Sequence, residues 1–277
     1  MQLTDQEIDE ITERVLAEDA AFNDVTSRAI VPERAELSLR MVARQSAVIV
    51  GLPIAVAIVR RMAPEAKINV LIKEGEEVVA GTLLVHLQGD ACGLLAAERA
   101  ALNVVQHLSG IATLTRAYVK QIEGTGAILR DTRKTLPGLR KLEKYASGLG
   151  GAQNHRLNLA GGLLIKDNHL AFAGGLTEAV RRAKNAGLNP IEIECENMEQ
   201  VSEAMVAGAD ILLLDNMSLK ALRTAVSSVS GQAKLEASGN VSLDSIREIA
   251  ETGVDFISVG KITHSAPAID VGFDLDS

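Results

Sequence analysis

Residues 187–215 read GLNPIEIECENMEQVSEAMVAGADILLLD, and they hold one full turn of a pattern that runs through the second half of the chain. Gly187, Gly208, Gly231 and Gly253 follow one another at steps of 21, 23 and 22 residues, and counting seven onward from each reaches Glu194, Asp215, Ser238 and Gly260. Each glycine closes a helix-like segment and introduces a short apolar run, at 191–193, 211–214, 235–237 and 256–259. The spacing fits one strand plus one helix, and repeated units of this kind build a parallel sheet, most economically a barrel. In such barrels reactive groups collect where strands end and loops begin. A polar residue that merely caps a strand is the commoner case for any single position. Four positions in a shared register, two of them acidic, point instead to one cavity.

Composition narrows the function. The chain has 277 residues, 47% hydrophobic and only 2% aromatic, with no Trp. A core of Leu, Ile, Val and Ala is expected, and base-stacking platforms are not. A formal net charge of −8 argues against a nucleic-acid partner, because phosphate backbones demand a basic surface. The first ten residues have no apolar signal core, and no stretch reaches membrane-spanning length, so the reading is a cytoplasmic protein with no membrane contact. Cys92 and Cys195 lack metal or disulfide spacing and read as ordinary thiols.

The grammar of the chain changes near residue 120. Before it, Thr4 and Glu7 form a capping box for a first helix, short strands are expected at 37–41, 47–50, 68–72 and 83–87, and Pro53 opens a helix between the second and third. A long helical pattern fills 92–122. After it, apolar runs at 127–129 and 163–165 join the four above to give six strands, fewer than the eight of a complete barrel. The expected fold is α/β: an N-terminal α+β sandwich domain over 1–120, ending in the linking helix, and an incomplete, distorted α/β barrel over 121–277.

Cations crowd the first two strand ends of that barrel in an otherwise acidic protein. Arg133 and Lys134 follow the strand at 127–129, His155 and Arg156 come next, and Lys166 directly follows the strand at 163–165. Arg133 lies seven beyond Gly126, in the register of the later units. Ordinary solvated charge paired with nearby acids is the competing interpretation. Several cations at one rim imply a multiply charged anion, with Arg suited to bidentate contact and Lys to a point charge. Glu194 and Asp215 could bind Mg²⁺, hold sugar hydroxyls or stabilise developing positive charge. Ser238-Gly239-Asn240 and Gly260-Lys261 end the last two strands as a candidate phosphate nest. Lys166 at a strand end is also what a Schiff-base aldolase would display. The Gly148-to-Gly151 run follows a helix rather than a strand and is not a dinucleotide loop.

These stretches resemble a known family. Asp24-Val25-Thr26-Ser27, the Glu98–Asn103 segment, Asp131-Thr132-Arg133-Lys134-Thr135 through Arg140, His155-Arg156, Ile165 through His169, Leu214-Asp215-Asn216 and Gly260 through Ser265 together resemble quinolinate phosphoribosyltransferases over nearly the whole chain. The resemblance implies transfer of phosphoribosyl from phosphoribosyl pyrophosphate to quinolinate with loss of carbon dioxide, using Mg²⁺, in NAD biosynthesis. It implies a homodimer in which Arg99 reaches the neighbouring subunit's site. By the same resemblance Arg133, Lys134, His155, Arg156 and Lys166 bind quinolinate, Glu194 and Asp215 hold ribose or magnesium, and Ser238, Gly239, Gly260 and His264 hold the donor's phosphate. Lys134, Lys166, Glu194 and Asp215 would take part in the chemistry itself.

Overall fold

The computed structural model describes residues 1–276, which fall into two compact units. The first comprises Met1–Leu114, Tyr145–Gly150 and the described residues from Ala266 onward. Its elements are α1 (Asp5–Glu18), α2 (Val25–Ile30), β1 (Glu36–Ala43), β2 (Ala47–Val48), α3 (Leu52–Met62), β3 (Lys67–Val70), β4 (Glu77–Val78), β5 (Leu83–Asp90), the first part of α4 (Ala91–Gln121) and β12 (Val271–Leu275). The capping box of α1 forms as expected: Thr4 accepts the Glu7 N–H, and the Glu7 carboxylate accepts the Thr4 N–H. Two otherwise unsatisfied helix donors are thereby met.

The antiparallel sheet of this unit runs β12-β1-β5-β3, with β2 and β4 as a separate pair. This corrects the expected division at residue 120. The chain's last strand pairs with β1, Leu39 opposite Leu275 and Ala43 opposite Val271, and so does not belong to the barrel. β12 covers what would otherwise be the open edge of β1, a row of unpaired backbone groups.

The second unit comprises Thr115–Lys144 and Gly151–Ser265. It holds the end of α4, then β6 (Ile128–Arg130), the start of α5 (Arg140–Gly150), β7 (Leu163–Ile165), α6 (Asp167–Ala173), α7 (Leu176–Asn185), β8 (Ile191–Cys195), α8 (Met198–Ala207), β9 (Ile211–Asp215), α9 (Leu219–Val229), β10 (Lys234–Ser238), α10 (Ile246–Ala250), β11 (Phe256–Ser258) and α11 (Lys261–His264). All six strands are parallel, in the order β6-β11-β10-β9-β8-β7. β7 remains an edge and β6 is met on its outer side only by the single parallel bridge of Arg130 to Gln153, so the barrel is incomplete. The central strands are buried on both faces along most of their length, as helices on the outside and side chains on the inside require.

The four repeat glycines share one conformation. Gly187, Gly208, Gly231 and Gly253 have φ of +70°, +78°, +78° and +94°, the left-handed geometry that ends a helix without a Cβ penalty. The register in the sequence is therefore a register of helix stops, each setting the start of the next strand.

Candidate active site

Side chains alternate across a strand, so residues two apart on each strand of the parallel sheet share a face. Glu192 and Glu194 on β8, Leu213 and Asp215 on β9, and Glu236 and Ser238 on β10 are such pairs. The outer member of each pair lines a cavity of about 410 Å³, together with Leu213, Glu236 and Ser258. The loop after β6 adds Thr132, Arg133 and Lys134, and the segment before β7 adds His155 and Arg156. Lys166, directly after β7, completes the cationic side. The two charge clusters of the sequence are thus brought to one cavity with the two acids.

β6 ends at Arg130, so the seven-residue register does not put Arg133 at a strand end. It sits in the following loop and still lines the cavity. That loop is held from below. Asp131 and Lys144 form an ion pair with no exposure on either side. The ammonium also donates to the His155 carbonyl at 2.9 Å, and Asp131 accepts the His155 N–H at 2.8 Å and the Asn154 amide at 2.7 Å. Burial pushes the Lys144 pKa down, against the opposing attraction of Asp131.

The cations are under electrostatic pressure. Arg156 has its pKa pushed down by burial and then by the neighbouring Arg133 charge. The Nε of Arg133 and the Nε of Arg156 are both buried without a hydrogen-bond partner. Two buried guanidinium N–H groups without acceptors are unfavourable unless an anion enters. Lys166 is ion-paired to Glu194, and Asp215 accepts from the Asn216 amide at 2.6 Å.

The remaining expected residues are distributed unevenly. Gly239 follows Ser238 at φ +100°, with Asn240 also at positive φ, and a Cβ on Gly239 would collide with the Asn216 side chain. Gly260 starts α11, where its α-carbon faces Lys134 and Thr132, and His264 lies beside it with Nδ1 2.5 Å from the Ser265 hydroxyl. Arg99 is exposed on α4 in the other unit and is not among the residues lining the cavity.

Sequence reasoning missed a deeper layer. Glu236 is fully buried, bonded to Arg130 and Ser258, and its pKa is pushed up by burial and by the charge of Glu192. Arg130 also lies over the Phe256 ring, 3.3 Å from its centroid. The signal was present as alternation, since Glu192 and Glu236 each stand two before a residue already singled out. His155, Glu192 and Glu236 bring possible metal-ligand atoms within 4.8 Å of one another.

The site is thus a cationic cavity at the strand ends of a parallel α/β sheet, with two acids and Ser238 on its wall. Residues 111–274 match the family model "Quinolinate phosphoribosyl transferase, C-terminal domain" and residues 24–109 match its N-terminal domain counterpart. The chain belongs to the quinolinate phosphoribosyltransferase family. It is 42% identical over 274 residues to a probable nicotinate-nucleotide pyrophosphorylase [carboxylating] of Synechocystis, covering 97% of this chain and 92% of that protein. Among solved structures it is similar to the nicotinate-nucleotide pyrophosphorylase of Francisella tularensis, with TM-score 0.95, 37% identity and 99% and 98% of the two chains covered. The Ehrlichia chaffeensis enzyme of that name gives TM-score 0.93 and 40% identity, with both chains fully covered.

Proposed function

We propose that this cavity takes quinolinate and phosphoribosyl pyrophosphate together and joins the pyridine nitrogen to the sugar's anomeric carbon, the quinolinate phosphoribosyltransferase reaction that yields nicotinate mononucleotide for NAD biosynthesis. One observation carries the reading: the unpartnered, buried Nε groups of Arg133 and Arg156, flanking a cavity that also holds Lys134 and Lys166. A pyridine dicarboxylate supplies two planar anionic groups to such a site, and binding it relieves the repulsion among the cations. Fixing both carboxylates also fixes the ring nitrogen toward the sugar.

The acids serve the other partner. Bond breaking at the anomeric carbon develops positive charge on the sugar, and Glu194 and Asp215, which line the same cavity, offset it. Ser238, Gly239, Gly260 and His264 hold the donor's phosphate, with the positive-φ turn at Gly239 exposing backbone N–H groups. Carboxylate oxygens are the donor set that Mg²⁺ prefers. Glu194 and Asp215 would hold it, beside Lys166, which already engages Glu194. When bound, Mg²⁺ supplies neutralisation of the leaving group's charge.

Once the ring nitrogen carries the sugar it is cationic, so the electron pair left by departing carbon dioxide is stabilised on the adjacent carbon. Lys134 or Lys166 orients that carboxylate or delivers the replacing proton. The aldolase alternative loses ground because Lys166 is ion-paired and half exposed, whereas a Schiff-base amine needs desolvation. A homodimer belongs to the same reading, with Arg99, exposed on its helix, completing the partner's site. A cytoplasmic location is supported by two cysteines present as free thiols.

The test is an assay of purified protein with quinolinate, donor and Mg²⁺, each omitted in turn. Carbon dioxide and nicotinate mononucleotide should form in equal amounts only from the full mixture. If Lys134→Ala and Lys166→Ala both kept wild-type turnover and quinolinate affinity, the roles given to the lysines would be wrong.

A further inference from the structure

Beneath the rim, β8, β10 and β6 place a second charged layer one alternation deeper: Glu192, Glu236, which reaches the cavity wall, and Arg130. Glu192 is 6% exposed and Glu236 fully buried. Two carboxylates buried side by side each need donors. Glu236 has Arg130 on one oxygen and the Ser258 hydroxyl on the other. Glu192 faces the His155 imidazole, whose Nε2 is 3.2 Å and 3.3 Å from its two oxygens. On the other side of the same ring, Nδ1 accepts the Arg156 backbone N–H at 2.9 Å.

An uncharged imidazole carries its proton on one nitrogen and a lone pair on the other. The amide aimed at Nδ1 requires the lone pair there, which leaves the proton on Nε2, directed at Glu192. We propose that Glu192 is a positioning residue that fixes His155 as its Nε2–H tautomer and, through the ring, fixes the backbone of Arg156 at the acid-binding pocket. The inference rests on reading the cavity as that pocket. Both ring nitrogens are engaged within the protein, and both main-chain polar groups of His155 are held by Asp131 and Lys144. His155 therefore offers the substrate a fixed ring face and no N–H, which changes the role expected from the sequence. The charge on the acid comes from Arg133 and Arg156.

The same three side chains could be taken for a metal site, since His155, Glu192 and Glu236 converge within 4.8 Å. An ion on Nε2 would send the ring proton to Nδ1, against the Arg156 N–H, and would compete with Arg130 and Ser258 for Glu236. The hydrogen-bond directions favour a proton at this point.

Ring-¹⁵N-histidine spectra of the full-length protein test the proposal without any substrate. There are five histidines, and His155→Asn identifies the signal. The expected result is an unprotonated Nδ1 and a protonated Nε2, unchanged by EDTA. Glu192→Gln, which keeps an acceptor, should preserve the tautomer and lose less than Glu192→Leu, where the ring should become a mixture of forms. In Glu192→Leu the quinolinate KM should rise about tenfold, equivalent to about 1.4 kcal/mol, with the donor's KM within about twofold of wild type. A proton on Nδ1 in the wild type, an unaltered ring in Glu192→Leu, or a shift of the proton to Nδ1 on adding one equivalent of Zn²⁺ would each overturn it. Should Glu192→Leu not fold, Glu192→Ala takes its place, with the same mixed ring signal and raised quinolinate KM expected. Absence of turnover with quinolinate would count against the pocket's assignment and leave the ring spectrum untouched, so the two failures are separable.

Discussion

Asp131 and Lys144 are paired out of contact with solvent, and the Asp131 oxygen that takes the ammonium also accepts the His155 N–H at 2.8 Å. A single buried ion pair thus sets the backbone on which the acid-binding residues are strung. Removing one partner leaves an uncompensated buried charge. Lys144→Met is expected to lower stability by about 3–5 kcal/mol, measured by urea unfolding. Replacing both partners with apolar residues of similar volume should recover most of that loss without restoring quinolinate affinity, because the His155 N–H would have no acceptor. Full recovery of affinity in the double variant would show that the pair has no positioning role.

Arg133 and Arg156 are each expected to resist replacement by lysine. A guanidinium presents a planar fork that an ammonium cannot reproduce, and charge-assisted hydrogen bonds contribute about 1.5–3 kcal/mol. Arg133→Lys and Arg156→Lys should therefore raise the quinolinate KM by about ten- to a hundredfold while leaving the donor's KM nearly unchanged. Initial-rate kinetics with each substrate varied separately provides the check. Equal effects on both KM values would argue that the arginines serve the phosphate instead.

Gly239 sits at φ +100° with Asn216 packed where a Cβ would be, the Asn216 backbone nitrogen only 2.9 Å away. Gly239→Ala combines an unfavourable backbone conformation with a close contact to main chain, which cannot give way easily. The expected loss is about 1–3 kcal/mol, with a raised KM for the phosphoribosyl donor. Gly187 has nothing within 4 Å of the same position, so Gly187→Ala should show the backbone strain alone and unaltered donor affinity.

Glu74 gives a pH prediction away from the cavity. Its carboxylate accepts the Gly51 and Leu52 N–H groups at the start of α3 and the Tyr145 hydroxyl, yet burial outweighs these bonds and pushes its pKa above 4.5. The folded protein then holds this proton more tightly than the unfolded chain does. Stability from Glu74 is fully present below pH 4.5 and declines as pH rises from there through the folded value. Relative to Glu74→Gln, the wild type should lose melting temperature over that interval. A wild type that gains on the variant as pH rises would refute the direction.

Much of this protein was legible without coordinates, where the cause is local. The glycine stops, the Thr4 capping box, the six apolar runs and the two cation clusters all depend on spacing within a few tens of residues, and of the four strand-end positions in one register Glu194, Asp215 and Ser238 line one cavity while Gly260 is not among its lining residues. The sequence also carried, unread, the alternation that puts Glu192 and Glu236 on the inner face. What no local rule could supply was the pairing of β12 with β1 across more than two hundred residues, or the burial of Lys144, whose solvation follows from what the fold packs around it. A chain pattern determines which face and which end of an element a residue occupies. Only the assembled interior decides which charges meet without water, and that is where His155 acquires its proton's address.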